Sequence, residues 1–131
     1  MGLNDRFRLA GWIPREDMPA MYSLADIVAM PSAREGMALA YLETLASGRV
    51  LVASDIPASR LLIRHGENGL LHPVGDVPAL AERILAAALD PGLRARIGAK
   101  ARASALQHDI EQVVDAHAEA LRELVARRSA R

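Results

Sequence analysis

Two glutamates eight residues apart, Glu35 and Glu43, flank the start of a predicted helix. The segment that carries them reads PSAREGMALAYLETLASG and runs from Pro31 to Gly48. A strand is predicted to end at Pro-Ser, and the helix is predicted to begin at about residue 37. The first backbone N–H groups of a helix have no partner within it, and with the helix dipole they favour an anion such as phosphate. Gly36 lets a ligand approach the backbone closely.

The two carboxylates suit hydroxyl groups better than they suit the anion itself. Helical side chains lean towards the N-terminus, so Glu43, two turns into the helix, is predicted to project towards Glu35. Carboxylates accept hydrogen bonds from hydroxyls. The pattern therefore predicts a phosphate held by amides between two hydroxyl-bearing groups, such as a sugar and a ribose. The alternative is two solvated glutamates, because a pair at this spacing is common by chance.

Apolar runs place strands on both sides of this segment. Ile27–Met30 and Val50–Ala53 are continuous apolar runs, as expected of strands buried on both faces. Phe7–Ala10 and Leu70–Leu71 predict two shorter strands, which gives about four in all. Helical segments separate the strands, and this alternation predicts a parallel sheet in an α/β, Rossmann-like layered domain. Such sheets bind ligands at the carboxyl ends of their strands, here at the loop after Met30.

Helices are expected between these strands. The pattern predicts short helices over 17–24 and 57–64, and a longer one from about residue 37 that stops at Gly48. The Gly-Glu-Asn-Gly sequence at 66–69 predicts a turn, because Asn and Gly tolerate positive φ.

From Val77 onward only helices are predicted. The first has an apolar face formed by Leu80, Ile84, Leu85 and Ala88. Asp90–Gly92 breaks it, and an Ala-rich helix follows to about Leu106. The last helix, over about 109–126, has an apolar stripe at helical spacing that comprises Ile110, Val113, Val114, His117, Leu121, Leu124 and Val125. We predict one partial domain over 1–131, with strand–helix alternation over 1–76 and an all-helical end over 77–131.

Composition excludes several classes of protein. The chain has 131 residues, 51% of them hydrophobic, which supports one globular domain with a core. Sixteen basic residues balance sixteen acidic ones, so no nucleic-acid partner is expected. The absence of cysteine excludes disulfides and thiol chemistry. The four histidines show no ligand spacing, so no metal is expected.

We expect a cytoplasmic protein, because no apolar run approaches the ~18 residues of a membrane span. A peripheral position at the inner face of a membrane is an alternative, since the last helix ends with a basic cluster that comprises Arg122, Arg127, Arg128 and Arg131. Asp26 and Asp55 at strand borders leave a receiver-like phospho-acceptor domain as another alternative. The lysine expected late in such a domain is not evident, because the only lysine is Lys100.

The ordered motifs resemble the C-terminal, donor-binding half of the retaining GT-B glycosyltransferases of the group-1 superfamily. Their signature is PS-x-x-E-G-x-x-x-x-x-L-E-x-x-A-x-G, and the matching residues are Pro31, Ser32, Glu35, Gly36, Leu42, Glu43, Ala46 and Gly48. Further matches are Ala25-Asp26, Val50–Ala53, Gly66–Asp76 and Leu80–Arg102. The resemblance runs from Phe7 to about Leu124, about nine tenths of the chain.

The resemblance implies a nucleotide-sugar donor, such as a UDP-, GDP- or ADP-sugar, and transfer with retention at the anomeric carbon. It implies that Glu35 is the catalytic-site residue that hydrogen-bonds the transferred sugar, and that Glu43 accepts from the ribose hydroxyls. It implies further contacts to the diphosphate and the nucleobase from Gly36, Met37, Ala38, Leu39 and, near the base, Ile13. No metal and no other cofactor are implied.

The sequence departs from the family pattern in two ways. The family commonly reads E-G-F-G, whereas Met37 and Ala38 follow Gly36 here, and Ala38 is predicted to crowd the donor. The family's basic G-G-x-x-x-x-K/R-G element, two strand–helix units and the N-terminal acceptor half have no counterpart in this sequence. Arg34 and Arg60 are candidate phosphate partners, although surface arginines are the simpler interpretation.

These departures lead to two hypotheses about function. In the first, the chain binds a nucleotide-sugar and is inactive without the N-terminal acceptor half. In the second, it is a non-catalytic module that assembles with a partner or forms a homo-oligomer through an exposed sheet edge or the C-terminal helix.

Overall fold

The computed structural model describes residues 6–36 and 39–129. The described chain contains three strands and six α-helices, which alternate as far as the last strand and are followed by three consecutive helices. In chain order they are α1 (Met18–Leu24), β1 (Ile27–Met30), α2 (Leu39–Ala46), β2 (Val50–Ser54), α3 (Pro57–Arg60), β3 (Leu70–His72), α4 (Val77–Leu89), α5 (Pro91–Ala105) and α6 (Ile110–Ser129). Single 3₁₀ turns precede α1 and follow α5, at Arg15–Asp17 and Leu106–His108.

The strands form a parallel sheet in the order β1-β2-β3. The register pairs Ile27 with Val50 and Val52 with Leu70. Every residue of the central strand β2 is buried, as its continuous apolar run predicts. β1 is only half-buried, and Ala29 is exposed. The prediction that β1 is buried on both faces is therefore wrong, because within the described residues β1 is an edge strand with a single neighbour.

The predicted strand at Phe7–Ala10 is absent. These residues are irregular and exposed, with Leu9 85% exposed and the nearby Trp12 86% exposed. A strand needs a neighbour to pair its backbone N–H and C=O groups, and no described strand lies beside this segment. The described sheet consequently has three strands instead of about four.

Apolar layers cover both faces of the sheet. On one face Tyr41 and Leu45 of α2 pack with Leu51 and Ala53 of β2. On the other face Val50 and Val52 pack with Leu70 of β3 and Ala87 of α4. The helix α5 contributes to both layers, since Ala101 lies in the first and Ile97 in the second.

The helix α4 buries a slightly different face from the predicted one. Leu80 and Ile84 pack against the apolar layer as predicted, and Ala87 is fully buried. Leu85 is 56% exposed and Ala88 is exposed as well. Leu80, Ile84 and Ala87 are spaced at i, i+4 and i+7 and form the buried face of α4. Leu85 and Ala88 each follow one of these residues, so they lie about 100° further round the helix, towards solvent.

Local signals fix most of the helix ends. Gly48 has a φ of 69° and ends α2, as predicted. Asp76 and Asp90 cap α4 and α5, and each side chain accepts a hydrogen bond of 2.9 Å from a backbone N–H three residues on. The helix predicted over 57–64 is shorter and ends at Arg60. The turn predicted at 66–69 is present, with a 2.8 Å bond from Gly66 N to Gly69 O.

The last helix contacts the 3₁₀ turn Leu106–His108 that precedes it. The described side chains of its predicted apolar stripe face solvent: Val114, Leu121, Leu124 and Val125 are 56–65% exposed. The side chains of Ile110 and Val113 lie outside the described part of the structure.

Candidate functional site

Glu43 lies in a cleft between α1 and α2 that also borders α5. The cleft has a volume of about 460 Å³. Its lining mixes apolar, hydroxyl and charged side chains and comprises Arg15, Met18, Pro19, Tyr22, Ser23, Glu43, Ala46, Ser47 and Arg102. α2 places Glu43 there because its opposite face, with Tyr41 and Leu45, is buried against the sheet.

Tyr22 of α1 fixes the carboxylate of Glu43. Its hydroxyl donates a 3.2 Å hydrogen bond to Oε2 of Glu43, and the tyrosine is only 8% exposed. Burial raises the pKa of Tyr22, and the charge of Glu43 and this hydrogen bond raise it further. The phenol is therefore a neutral donor. Within residues 6–36 and 39–129 no hydrogen bond to the second carboxylate oxygen, Oε1, is found, so it can accept from a hydroxyl group of a ligand.

Two arginines, Arg15 and Arg102, line the cleft together with Glu43. Arg15 lies in the 3₁₀ turn before α1, and Arg102 lies on α5. Both are exposed, so their guanidinium groups are free to move towards an anion. The cleft thus combines one carboxylate with two cations, which suits a ligand that carries both hydroxyl and anionic groups.

Glu35 lies outside this cleft, in the exposed loop between β1 and α2. Its negative charge acts on Tyr41: burial raises the pKa of that tyrosine, and the charge of Glu35 raises it further. The Tyr41 hydroxyl is buried and has no hydrogen-bond partner in the described part of the chain. Each glutamate is thus electrostatically coupled to a different buried tyrosine.

The predicted site residues take different positions. Glu43 lines the cleft, whereas Glu35, Gly36, Leu39 and Ile13 do not. Gly36 and Leu39 are exposed, Ile13 is half-buried, and a Cβ at Gly36 would meet no atom within 4 Å. Met37 and Ala38 lie outside the described residues, so the predicted crowding by Ala38 stays a prediction.

The other side chains around Glu43 were not predicted as site residues from the sequence. Tyr22 is 21 residues from Glu43 and belongs to none of the motifs named above. Arg15 belongs to no motif, and Arg102 ends the Leu80–Arg102 match without any site role being implied for it. No pattern along the chain places these residues beside Glu43, because folding alone brings them together.

Arg60, a candidate phosphate partner, is engaged elsewhere. Its guanidinium binds both carboxylate oxygens of Asp55, at 2.6 and 2.9 Å. This hydrogen bonding lowers the pKa of Asp55. A ligand would have to displace Asp55 to use Arg60, whereas Arg34 lies exposed in the loop before Glu35.

Neither a metal cluster nor a membrane span is found in residues 6–36 and 39–129. No group of three or more histidine or acidic side chains there has the arrangement needed to hold a metal ion. No helix in those ranges is both long and apolar enough to cross a bilayer.

Comparison with known proteins identifies the family. The family model described as "Glycosyl transferases group 1" matches residues 1–104 of the 131. The chain belongs to the group 1 glycosyl transferases. The receiver-like alternative is thereby replaced, and the parallel sheet with its helical C-terminal region is the GT-B type of α/β fold.

Relatives with assigned activities support this family membership. The chain is 34% identical over 100 residues to the alpha-D-kanosaminyltransferase of Streptomyces kanamyceticus. The match covers 76% of this chain and 26% of that protein. The chain is also 37% identical over 132 residues to the exopolysaccharide phosphotransferase SCO2592 of Streptomyces coelicolor. This second match covers 98% of the chain and 14% of that relative. The chain therefore spans about a quarter or less of the length of these two relatives.

Solved structures share its fold over nearly the whole chain. The sucrose-phosphate synthase of Thermosynechococcus elongatus superposes with a TM-score of 0.89 at 29% identity, covering 95% of this chain and 31% of that one. Anabaena Alr3699/HepE, solved in complex with UDP, superposes with a TM-score of 0.87 at 31% identity, covering 93% and 34%. Another structure of HepE contains UDP-glucose.

Proposed function

We propose that this chain is the donor-binding part of a retaining glycosyltransferase and that it binds a nucleotide-sugar, with UDP as the first candidate nucleotide. One observation carries the proposal: in a group 1 chain, Glu43 lines an open cleft and is held by Tyr22 with one carboxylate oxygen available. HepE, which shares this fold and 31% of the aligned residues, is described in complexes with UDP and UDP-glucose.

In this proposal Glu43 accepts hydrogen bonds from the ribose hydroxyls. Amide groups from Gly36 to Leu39, including those of Met37 and Ala38, hold the diphosphate, and Ile13 lies near the base. Glu35 hydrogen-bonds the transferred sugar. A helix N-terminus contributes only ~1 kcal/mol to anion binding at an exposed site. Micromolar affinity requires about 8 kcal/mol, so the cations near the cleft are needed as well.

The proposed chemistry is transfer with retention at the anomeric carbon. Positioned hydrogen bonds stabilise an oxocarbenium-like sugar and the departing diphosphate, and no metal takes part. In this proposal Glu35 interacts with that sugar, because it precedes the helix whose amides hold the diphosphate.

Titration calorimetry with UDP, GDP and ADP tests donor binding. We expect heat with at least one nucleotide and a loss of about 1.5–3 kcal/mol of binding free energy in Glu43→Gln, as for hydrogen bonds to charged groups. Glu82→Gln is the matched control, because Glu82 lies on the exposed side of α4 with its side chain 70% exposed. Absence of heat with all three nucleotides, or equal affinity of both variants, would contradict the proposal.

We propose that donor binding by this chain alone does not lead to transfer. The chain spans 26% of the kanosaminyltransferase and 31% of the sucrose-phosphate synthase, so most of each relative has no counterpart in it. An assay for UDP released from UDP-glucose is expected to stay at the blank rate. Release above that rate would show that an acceptor-binding half is unnecessary.

Self-association is a second candidate property, favoured by exposed apolar side chains. Phe7, Leu9, Trp12 and Leu24 are 70–86% exposed, close to the amino-terminal side of edge strand β1 in sequence. Burying such side chains between two copies would remove apolar area from water. Light scattering is expected to give a mass above that of one chain and rising with concentration. A constant monomer mass at high concentration would refute the idea.

A further inference from the structure

A second, more polar cleft lies between α5 and the loop that joins α3 to β3. It consists of two adjoining cavities of about 160 and 230 Å³. Both are lined by Arg64, Asn68, Ser104 and Gln107. We refer to it as the Arg64 cleft.

The Arg64 cleft is separate from the cleft that contains Glu43. α5 borders both, with Arg102 facing the Glu43 cleft and Lys100 and Ser104 facing the Arg64 cleft. At about 100° per residue, Arg102 lies on roughly the opposite side of α5 from the other two. A ligand in one cleft therefore does not touch a ligand in the other.

The Arg64 cleft carries an excess of positive charge in a chain whose formal net charge is zero. Arg64 and Lys100 line it, and within the described residues no carboxylate forms an ion pair with either. Arg60 also borders the cleft, but Asp55 neutralises it. Glu67 is the one carboxylate in the lining as described. Two unpaired cations against one carboxylate favour an anion of more than one charge.

The loop that carries Arg64 is held in place before any ligand arrives. Asn68 is 5% exposed, and its Oδ1 accepts from the Arg64 backbone N–H at 2.7 Å. Its amide nitrogen donates to Leu62 O and to Ser104 Oγ, both at 2.9 Å. These bonds tie the loop to α5, so little conformational entropy of the loop is lost when a ligand binds.

We propose that the Arg64 cleft binds the dianion of a phosphate monoester. The guanidinium of Arg64 matches two phosphate oxygens at once, and Lys100 adds a compact point charge. The side-chain amide of Gln107 supplies a further donor. A phosphate monoester presents three acceptor oxygens and nearly two negative charges at neutral pH, which meets both cations.

Titration with glycerol 3-phosphate at constant ionic strength, followed by calorimetry and by amide NMR shifts, tests the proposal. We expect saturable binding that Arg64→Gln and Lys100→Gln each weaken at least fivefold. Arg83→Gln is the matched control, since it removes the same charge from α4 and lies outside the cleft. Absence of binding, or equal weakening in the control, overturns the proposal, and circular dichroism verifies that each variant is folded.

Two further arms of the experiment separate the alternatives. Vesicles that contain phosphatidic acid present the same phosphate chemistry on a lipid. If binding to these vesicles depends on Arg64, the proposed phosphate site is supported and the phosphate comes from a lipid headgroup. The variant Arg102→Gln, which removes a cation from the Glu43 cleft, is expected to leave glycerol 3-phosphate binding unchanged. Loss of binding in Arg102→Gln would place the phosphate in the Glu43 cleft and overturn the inference, independently of whether nucleotide binding itself succeeds.

Discussion

At the scale of single residues, two buried tyrosines of α1 and α2 have opposite hydrogen-bonding states. The Tyr22 hydroxyl donates to Glu43, whereas the Tyr41 hydroxyl is buried with no partner in the described part of the protein. A buried hydroxyl that makes a bond adds stability, and one that makes none costs desolvation free energy. The two tyrosines therefore provide matched tests of the same chemical change.

We predict that Tyr22→Phe lowers the free energy of unfolding by about 1 kcal/mol, the value of a typical hydrogen bond, because the 3.2 Å bond to Glu43 is long for a hydroxyl donor. Tyr41→Phe is expected to be neutral or stabilising, because it removes an unpartnered hydroxyl. Urea denaturation measures both. A larger loss in Tyr41→Phe than in Tyr22→Phe would contradict this reading of the two sites.

The Asp55–Arg60 pair predicts a dependence of stability on acid. The hydrogen bond from Arg60 lowers the pKa of Asp55 in the folded chain below its ordinary value of 3.8. The ionised Asp55 therefore adds to the free energy of unfolding above about pH 4. This contribution is lost as the pH falls through the pKa of Asp55 in the folded chain. Asp55→Asn and Arg60→Gln should both flatten the acid limb of a plot of thermal midpoint against pH. An unchanged acid limb in both variants would show that the pair does not contribute.

At the scale of elements, α5 organises the fold because it approaches α2 very closely. A Cβ built on Gly98 of α5 would clash with the backbone carbonyl oxygen of Gly48. This approach lets α5 bury Ile97 and Ala101 against both apolar layers. It also sets the position of Arg102 in the Glu43 cleft and of Lys100 in the Arg64 cleft.

We predict that Gly98→Ala destabilises the protein by about 1–3 kcal/mol, because a backbone carbonyl cannot move as a flexible side chain can. At an exposed helix position the same change would stabilise the protein by about 1 kcal/mol, because Ala has a higher helix propensity than Gly. A loss of stability therefore indicates the close contact, and a gain indicates its absence. Ala99→Ser, at the exposed neighbouring position, is the control for thermal denaturation. A higher midpoint in Gly98→Ala would contradict the close contact.

At the scale of the whole molecule, the described apolar side chains of α6 lie outside the two apolar layers. α6 contacts the 3₁₀ turn before it, and two of its ion pairs, Arg122–Glu119 and Arg127–Glu123 at 3.2 and 3.6 Å, lie within the helix. These ion pairs neutralise part of the positive charge at the C-terminal end of α6. The expectation of a peripheral position at a membrane rests on that charge. Cytoplasmic or membrane-peripheral placement stays a prediction.

We predict that deleting residues 110–131 shifts the thermal midpoint by less than about 4 °C, equivalent to ~1 kcal/mol for a domain of this size. The reason is that the described apolar side chains of α6 face solvent and lie outside both apolar layers. Calorimetry of the truncated and full chains measures the shift. Loss of the cooperative transition on truncation would show that α6 is part of the cooperative core.

The amino-acid sequence by itself determined the elements that local physics controls. The apolar runs at 27–30 and 50–53 specified β1 and β2, and Gly48 specified the end of α2. The motif from Pro31 to Gly48 also indicated the family that the match over residues 1–104 confirms. These signals are local because strand burial, helix caps and positive φ each depend on a few adjacent residues.

Only the tertiary structure decided which side chains share a cleft. Tyr22 meets Glu43 across 21 residues, and Asn68 meets Ser104 across 36. The structure also decided that 7–10 is irregular and that β1 is an edge strand, because a strand exists only if a neighbour pairs with it. Contacts between distant segments depend on how the helices pack against the sheet. No spacing pattern in the sequence specifies which distant side chains that packing brings together.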